Sequence, residues 1–124
     1  MDYAVVIVEP PSYIHSQAFY EIGLLLRESL RSLGKQADLV SNQISRNKIN
    51  IILGYNLLPE KLPAFFRRSC FIYQLEQLSD REGWFNVRLE KVLKSAWGVW
   101  DYSRANIRFL KSRGLERVSY LPIG

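Results

Sequence analysis

Residues Ser69–Leu78 read Ser-Cys-Phe-Ile-Tyr-Gln-Leu-Glu-Gln-Leu. Cys70, Phe71, Ile72 and Tyr73 form an unbroken apolar run, which turns polar at Gln74, Glu76 and Gln77 before a loop through Ser79, Asp80, Arg81 and Gly83. An apolar run without alternation suits a strand buried on both faces, as in the middle of a parallel sheet. A polar C-terminal tip suits the crevice that such strands line. Ser69–Gln74 is therefore predicted as a central strand, with Glu76 at its mouth.

The flanking sequence repeats this theme. Toward the N-terminus, Tyr3–Glu9 is a β-branched apolar run closed by Pro10 and Pro11. From Ser16 the spacing of Phe19, Ile22, Leu25, Leu26, Leu30 and Leu33 predicts an amphipathic helix, with His15 or Ser16 as its cap and Gly34 as its stop. Gln36–Val40 and Ile49–Leu53 are predicted strands, and the segment broken by Pro59 and Pro63 has room for a short helix around Pro59–Phe65. Toward the C-terminus, Arg81–Ser95 is predicted helical, with Trp84, Val87, Leu89, Val92 and Leu93 apolar. A strand over Gly98–Trp100 follows, then a helix over Arg104–Ser112 capped by Ser103 and stopped by Gly114, and a strand over Arg117–Leu121. Strands alternating with helices through short links define an α/β chain with a right-handed, mainly parallel sheet of about five to six strands. All 124 residues are expected to form one domain.

Composition narrows the function classes. The chain is 48% hydrophobic and 13% aromatic, as expected of a globular protein. No stretch approaches the ~20 apolar residues of a membrane span, and the N-terminal run, preceded by Asp2 and stopped by Glu9, is not a signal peptide. A soluble, cytoplasmic protein is expected. The single cysteine, Cys70, is predicted to be a small core residue, so neither a disulfide framework nor a metal site is expected. The net charge of +5 falls entirely in residues 63–124. Arg88, Lys91 and Lys94 recur along one helix that also carries Glu90, so a solvated face explains part of the surplus better than a nucleic-acid surface. The three tryptophans Trp84, Trp97 and Trp100 are expected in the core.

Each predicted strand tip carries a polar or conformationally special residue: Glu9, Gly54-Tyr55-Asn56, Glu76-Gln77, and Asp101 with Ser103. In open α/β sheets ligands bind outside the carboxyl ends of the strands, where the strand order reverses. If the first strand lies beside Ser69–Gln74, the Tyr13–His15 loop faces Glu76 across that crevice. His15, the only histidine, has the chemistry to take a hydroxyl proton, and Glu76 to act as a base or hold a sugar hydroxyl; each also has a purely structural reading as a local backbone cap. Pro11, Tyr13, Gly54, Tyr55, Asn56, Gln77, Asp101 and Ser103 complete the candidate ligand-binding set, although Asp101 and Ser103 have the spacing of a turn and helix cap. No Gly-x-Gly-x-x-Gly pattern follows any strand, so no cofactor is expected.

Phe71–Leu78, Val99-Trp-Asp-Tyr-Ser-Arg-Ala-Asn-Ile107, Tyr120-Leu-Pro-Ile-Gly124 and the early Tyr13-Ile-His-Ser16 together resemble the N-terminal half of bacterial GT-B-type glycosyltransferases. The resemblance implies a Rossmann-like, three-layer α/β/α domain on the acceptor side, where a sugar or glycan acceptor binds. The sugar nucleotide would be held by a second domain, which this sequence does not contain. A separate donor-binding glycosyltransferase chain or a homo-oligomer would then be the partner, with no transfer by the isolated domain. A non-catalytic interaction module is the alternative, and nucleic-acid binding a weaker one.

Overall fold

The computed structural model describes residues 2–9, 17–78 and 85–123. Six strands, β1 (Tyr3–Ile7), β2 (Ala37–Ser41), β3 (Ile49–Leu53), β4 (Cys70–Gln74), β5 (Gly98–Asp101) and β6 (Val118–Tyr120), form one sheet in the order β2-β1-β3-β4-β5-β6. Every pairing is parallel. Helices α1 (Gln17–Ser32), α2 (Phe66–Ser69), α3 (Val87–Ser95) and α4 (Arg104–Ser112) flank it, giving a Rossmann-like α/β architecture. Because the chain steps from β1 to β2 in one direction and from β3 to β6 in the other, right-handed crossovers place α1 on one face and α3 and α4 on the opposite one. The order reverses between β1 and β3.

The two faces are unequally covered. Against α3 and α4 the sheet buries Val6, Ile52, Cys70, Ile72, Val99 and Val118, together with Leu89, Leu93 and Leu110 of the helices. Each such side chain taken fully out of water contributes roughly 1.5–3 kcal/mol of gross stabilisation. Cys70 is wholly buried, and burial pushes its thiol up to about 11, so it has almost no thiolate at neutral pH. On the other face α1 lies over β1 and β2, with Gly23 so close that a β-carbon there would sit 2.8 Å from Leu39 Cδ1. Among the described residues no helix covers the half of this face formed by β4, β5 and β6. Phe71 and Trp100 stack there at 5.2 Å, and Trp100 meets Tyr73 edge-on.

Several boundaries differ from those read in the sequence. Pro59–Phe65 is not helical: a 3-10 turn occupies Tyr55–Leu57 and α2 begins at Phe66, its first turn closed by the Phe66 N–H on the Pro63 carbonyl. Prolines lack the N–H that a helix needs, so the helix forms only after the second of them. Ser69 ends α2, and β4 starts one residue later. Helix α3 starts at Val87 because Asn86 is extended and its side chain accepts from the Leu89 N–H, capping the helix there. Val87 then lies 63% exposed rather than in the core. Leu25 and Leu33 are also exposed, since α1 rests on the sheet through a stripe narrower than its full set of leucines. Trp97 is exposed too, with the Arg117 guanidinium 4.7 Å above its ring. Residues Pro11, Tyr13, His15, Ser16 and Trp84 lie outside the described residues.

Candidate functional site

The carboxyl edge of the sheet is organised by a buried polar cluster. Gln74, the last residue of β4, is wholly buried and uses both ends of its amide. Its Nε2 donates to Asp101 Oδ2 at 2.8 Å and to the Glu76 carbonyl at 2.7 Å; its Oε1 accepts from the Glu76 N–H at 2.9 Å and the Tyr55 hydroxyl at 3.4 Å. Asp101, at the tip of β5, also accepts on Oδ1 from the Ser103 N–H and from Asn106 Nδ2. Asn106, one turn into α4, donates as well to the Glu76 carbonyl and accepts from the Leu78 N–H. The Leu75–Leu78 segment is thus tied from beneath by side chains of β4 and α4, with β5 completing the cluster. That fixes the backbone from which Glu76 and Gln77 project.

Burial is the main force on the acid–base behaviour of this cluster. It raises the Asp101 carboxyl above the ordinary aspartate range, against the hydrogen bonds from Gln74, Ser103 and Asn106. The folded state therefore holds this proton more tightly than the unfolded chain does. Its contribution to stability grows as pH falls from above the raised value toward the ordinary one. Glu90 behaves oppositely. The Arg113 hydrogen bond lowers its carboxyl, so its contribution is present above the ordinary glutamate range and is lost on acidification. Burial, reinforced by Glu76 and Asp101, pushes the Tyr55 hydroxyl well up, leaving it a neutral donor at any physiological pH.

The β1–β3 end of the edge is built differently. Gly54 follows β3 in the left-handed region at φ +84, and a β-carbon there would meet the Val8 carbonyl oxygen at 2.8 Å. Only glycine combines that backbone angle with so close an approach. The next residues form the 3-10 turn, in which Asn56 Oδ1 is buried with no hydrogen-bond partner. Across β1, Asn42 at φ 57 clamps Glu9: the Glu9 N–H donates to Asn42 Oδ1 at 2.8 Å, and Asn42 Nδ2 donates to the Glu9 carbonyl at 2.6 Å. Asparagine is among the few residues that tolerate this conformation.

The structure therefore brings Tyr55, the backbone of Glu76, Asp101 and Ser103 into one cluster. Ser103 caps α4 by accepting from the Asn106 N–H. Gln77 is exposed beside it, and Gly54 and Asn56 belong to the switch point one strand away. The expected juxtaposition of β1 with β4 does not occur, because β3 lies between them. The connection Asn42–Lys48 carries the chain from β2 back across β1 to the far side, seating β3 beside β1 before β4 is laid down. Gln74 and Asn106, neither of them in the candidate set, hold the cluster together. Their signal was present, as a glutamine closing an apolar strand and an asparagine four residues before buried Leu110. No protein-family model, curated protein or solved structure matches the chain. No helix among the described residues is long and apolar enough to cross a membrane.

Proposed function

We propose that this chain is the acceptor-binding half of a GT-B-like glycosyltransferase, working with a donor-binding domain that supplies the activated sugar. The observation that carries the reading is the pre-ordered carboxyl edge. The tips of β1, β3, β4 and β5 lie along it, and the Gln74–Asp101–Asn106 cluster holds Glu76 and Gln77 in place before any ligand arrives. Such preorganisation suits a site that positions a hydroxyl group. Glu76 is the proposed base or hydroxyl-orienting group, with His15 as the second candidate. By calorimetry, the isolated chain is expected to bind simple glycosides weakly and to give no heat with sugar nucleotides; tight sugar-nucleotide binding contradicts the assignment. In a transfer assay reconstituted with a donor-binding chain, Glu76→Gln is expected to slow turnover about 100-fold or more, as loss of a general base does. Unchanged turnover removes Glu76 from the chemistry.

A second reading, self-association, is favoured by the sheet face over β4, β5 and β6, which no helix among the described residues covers. Parallel sheets are normally covered on both sides. Here Phe71 and Trp100 are only partly buried and Trp97 is exposed on the open half, while Leu25 and Leu33 are exposed on α1. In sedimentation at rising concentration the chain is expected to dimerise, and Trp100→Glu to remain monomeric. Identical sedimentation of both as monomers eliminates this reading.

A further inference from the structure

Lying against the face opposite α1, at the carboxyl ends of β1 and β2, is a cleft of about 520 Å³ lined by Val6, Val8, Ile44, Leu57, Leu58 and the two prolines Pro59 and Pro63, with Glu9 and Asn42 at its polar end. Its origin is topological. A parallel crossover usually carries a helix over the sheet, but the β2–β3 connection, residues 42–48, has none. The trough over β1 is walled instead by Ile44 on one side and by Leu57–Pro63 on the other. A volume in the ~300–1,000 Å³ range of small-molecule sites, apolar walls and a small polar end are the attributes of a ligand pocket.

The polar end is rigid and acidic. Asn42 bonds the Glu9 backbone through both ends of its amide, its own N–H is bonded to the Ile7 carbonyl, and Ser41 Oγ donates to Glu9 Oε1 at 3.2 Å. The Glu9 backbone is therefore fixed by Asn42 and its carboxylate is met at the cleft by the Ser41 hydroxyl, and when ionised that carboxylate offers acceptors only. A ligand matched to this cleft needs an apolar body and a hydrogen-bond donor at one end. A free saccharide lacks the first and an aliphatic or aryl ether the second.

Resting on the acceptor-side reading, we infer that this cleft takes the apolar aglycone of the acceptor and that Glu9 receives a hydroxyl on that aglycone, while the hydroxyl that is glycosylated extends along the carboxyl edge toward Glu76. The sugar acceptor expected from the sequence is then carried on a hydrophobic aglycone. The cleft also borders the β1–β3 switch point, so an alcohol anchored at Glu9 lies at the edge where the activated sugar is to be delivered.

The test uses naphthalen-2-ol as the apolar alcohol, 2-methoxynaphthalene as its ether and methyl glucoside as a polar control, with amide shifts of the intact chain as readout. Naphthalen-2-ol is expected to saturate and to shift Val8, Ile44 and Leu58, with at least tenfold weaker binding to Ile44→Asp and to Leu57→Asp. Both substitutions lie at partly buried wall positions, and circular dichroism checks that each variant is folded. The ether, and naphthalen-2-ol with Glu9→Gln, are each expected to bind several-fold more weakly. Equal binding of alcohol and ether overturns the role given to Glu9. Shifts from methyl glucoside along the carboxyl edge, with none from naphthalen-2-ol, overturn the aglycone cleft while sparing the acceptor-side reading. Silence from both ligands overturns both.

Discussion

Replacing Gln74 by leucine is expected to lower the unfolding free energy by about 3 kcal/mol, the cost of leaving several buried polar groups unpaired. The volume of the side chain is nearly kept, so the loss is one of hydrogen bonds. Asp101 Oδ2 loses its 2.8 Å donor, and both the N–H and the carbonyl of Glu76 lose partners. For a chain of this size the change corresponds to a fall in melting temperature of roughly 10–15 °C. Gln74→Glu adds a diagnostic pH dependence. It sets a second carboxyl against Asp101, so its deficit is expected to be largest near neutral pH. The deficit shrinks as the pH falls and the pair takes up a proton. A Gln74→Leu variant that melts within a degree or two of the parent, or a Gln74→Glu variant whose deficit does not change with pH, contradicts the cluster as described.

The second large effect is expected at Gly54. Gly54→Ala forces an alanine into a left-handed backbone, at ~1–2 kcal/mol. It also drives a methyl to 2.8 Å from the Val8 carbonyl oxygen. That oxygen belongs to backbone and retreats poorly, because the Val8 N–H is bonded to the Leu53 carbonyl. The total is expected near 3 kcal/mol, in the range of substitutions that strain a special backbone position. Gly34→Ala is the control: its φ is +81, but nothing lies within 4 Å of the added carbon. Gly34→Ala is expected to cost about 1 kcal/mol for conformation alone. Denaturant midpoints at constant slope give both values. Equal losses at the two glycines mean that the β1–β3 approach is looser than drawn.

Much of the sheet was legible because a doubly buried parallel strand writes an apolar run into the sequence. All six strands were read to within a few residues. Their lateral order was not legible, since hydrophobic pattern records which way a side chain faces and not which strand lies alongside. The placement of β3 between β1 and β4 turns on a loop crossing with no periodic signal of its own. Within the site, the Asp101–Ser103 turn and cap could be read because their spacing is local. Gln74 and Asn106 bond partners up to 30 residues away in the chain, and that pairing appears only once the strands are aligned. The cap at Asn86 is hidden in the sequence for a simpler reason. The apolar stripe of α3 extrapolates smoothly upstream, and only a side-chain bond to the Leu89 N–H fixes the true start.

The central claim is that ligands meet this domain at the carboxyl edge of its sheet. Amide shift mapping of the intact, isotope-labelled chain against a graded series of simple methyl and aryl glycosides tests it most directly. Saturable shifts confined to Glu9, Asn42, Gly54, Asn56, Glu76 and Gln77, with the amino-edge residues Arg67, Lys94 and Arg117 unmoved, are the predicted result. Shifts confined to that amino edge, or none at all up to high millimolar glycoside, contradict it.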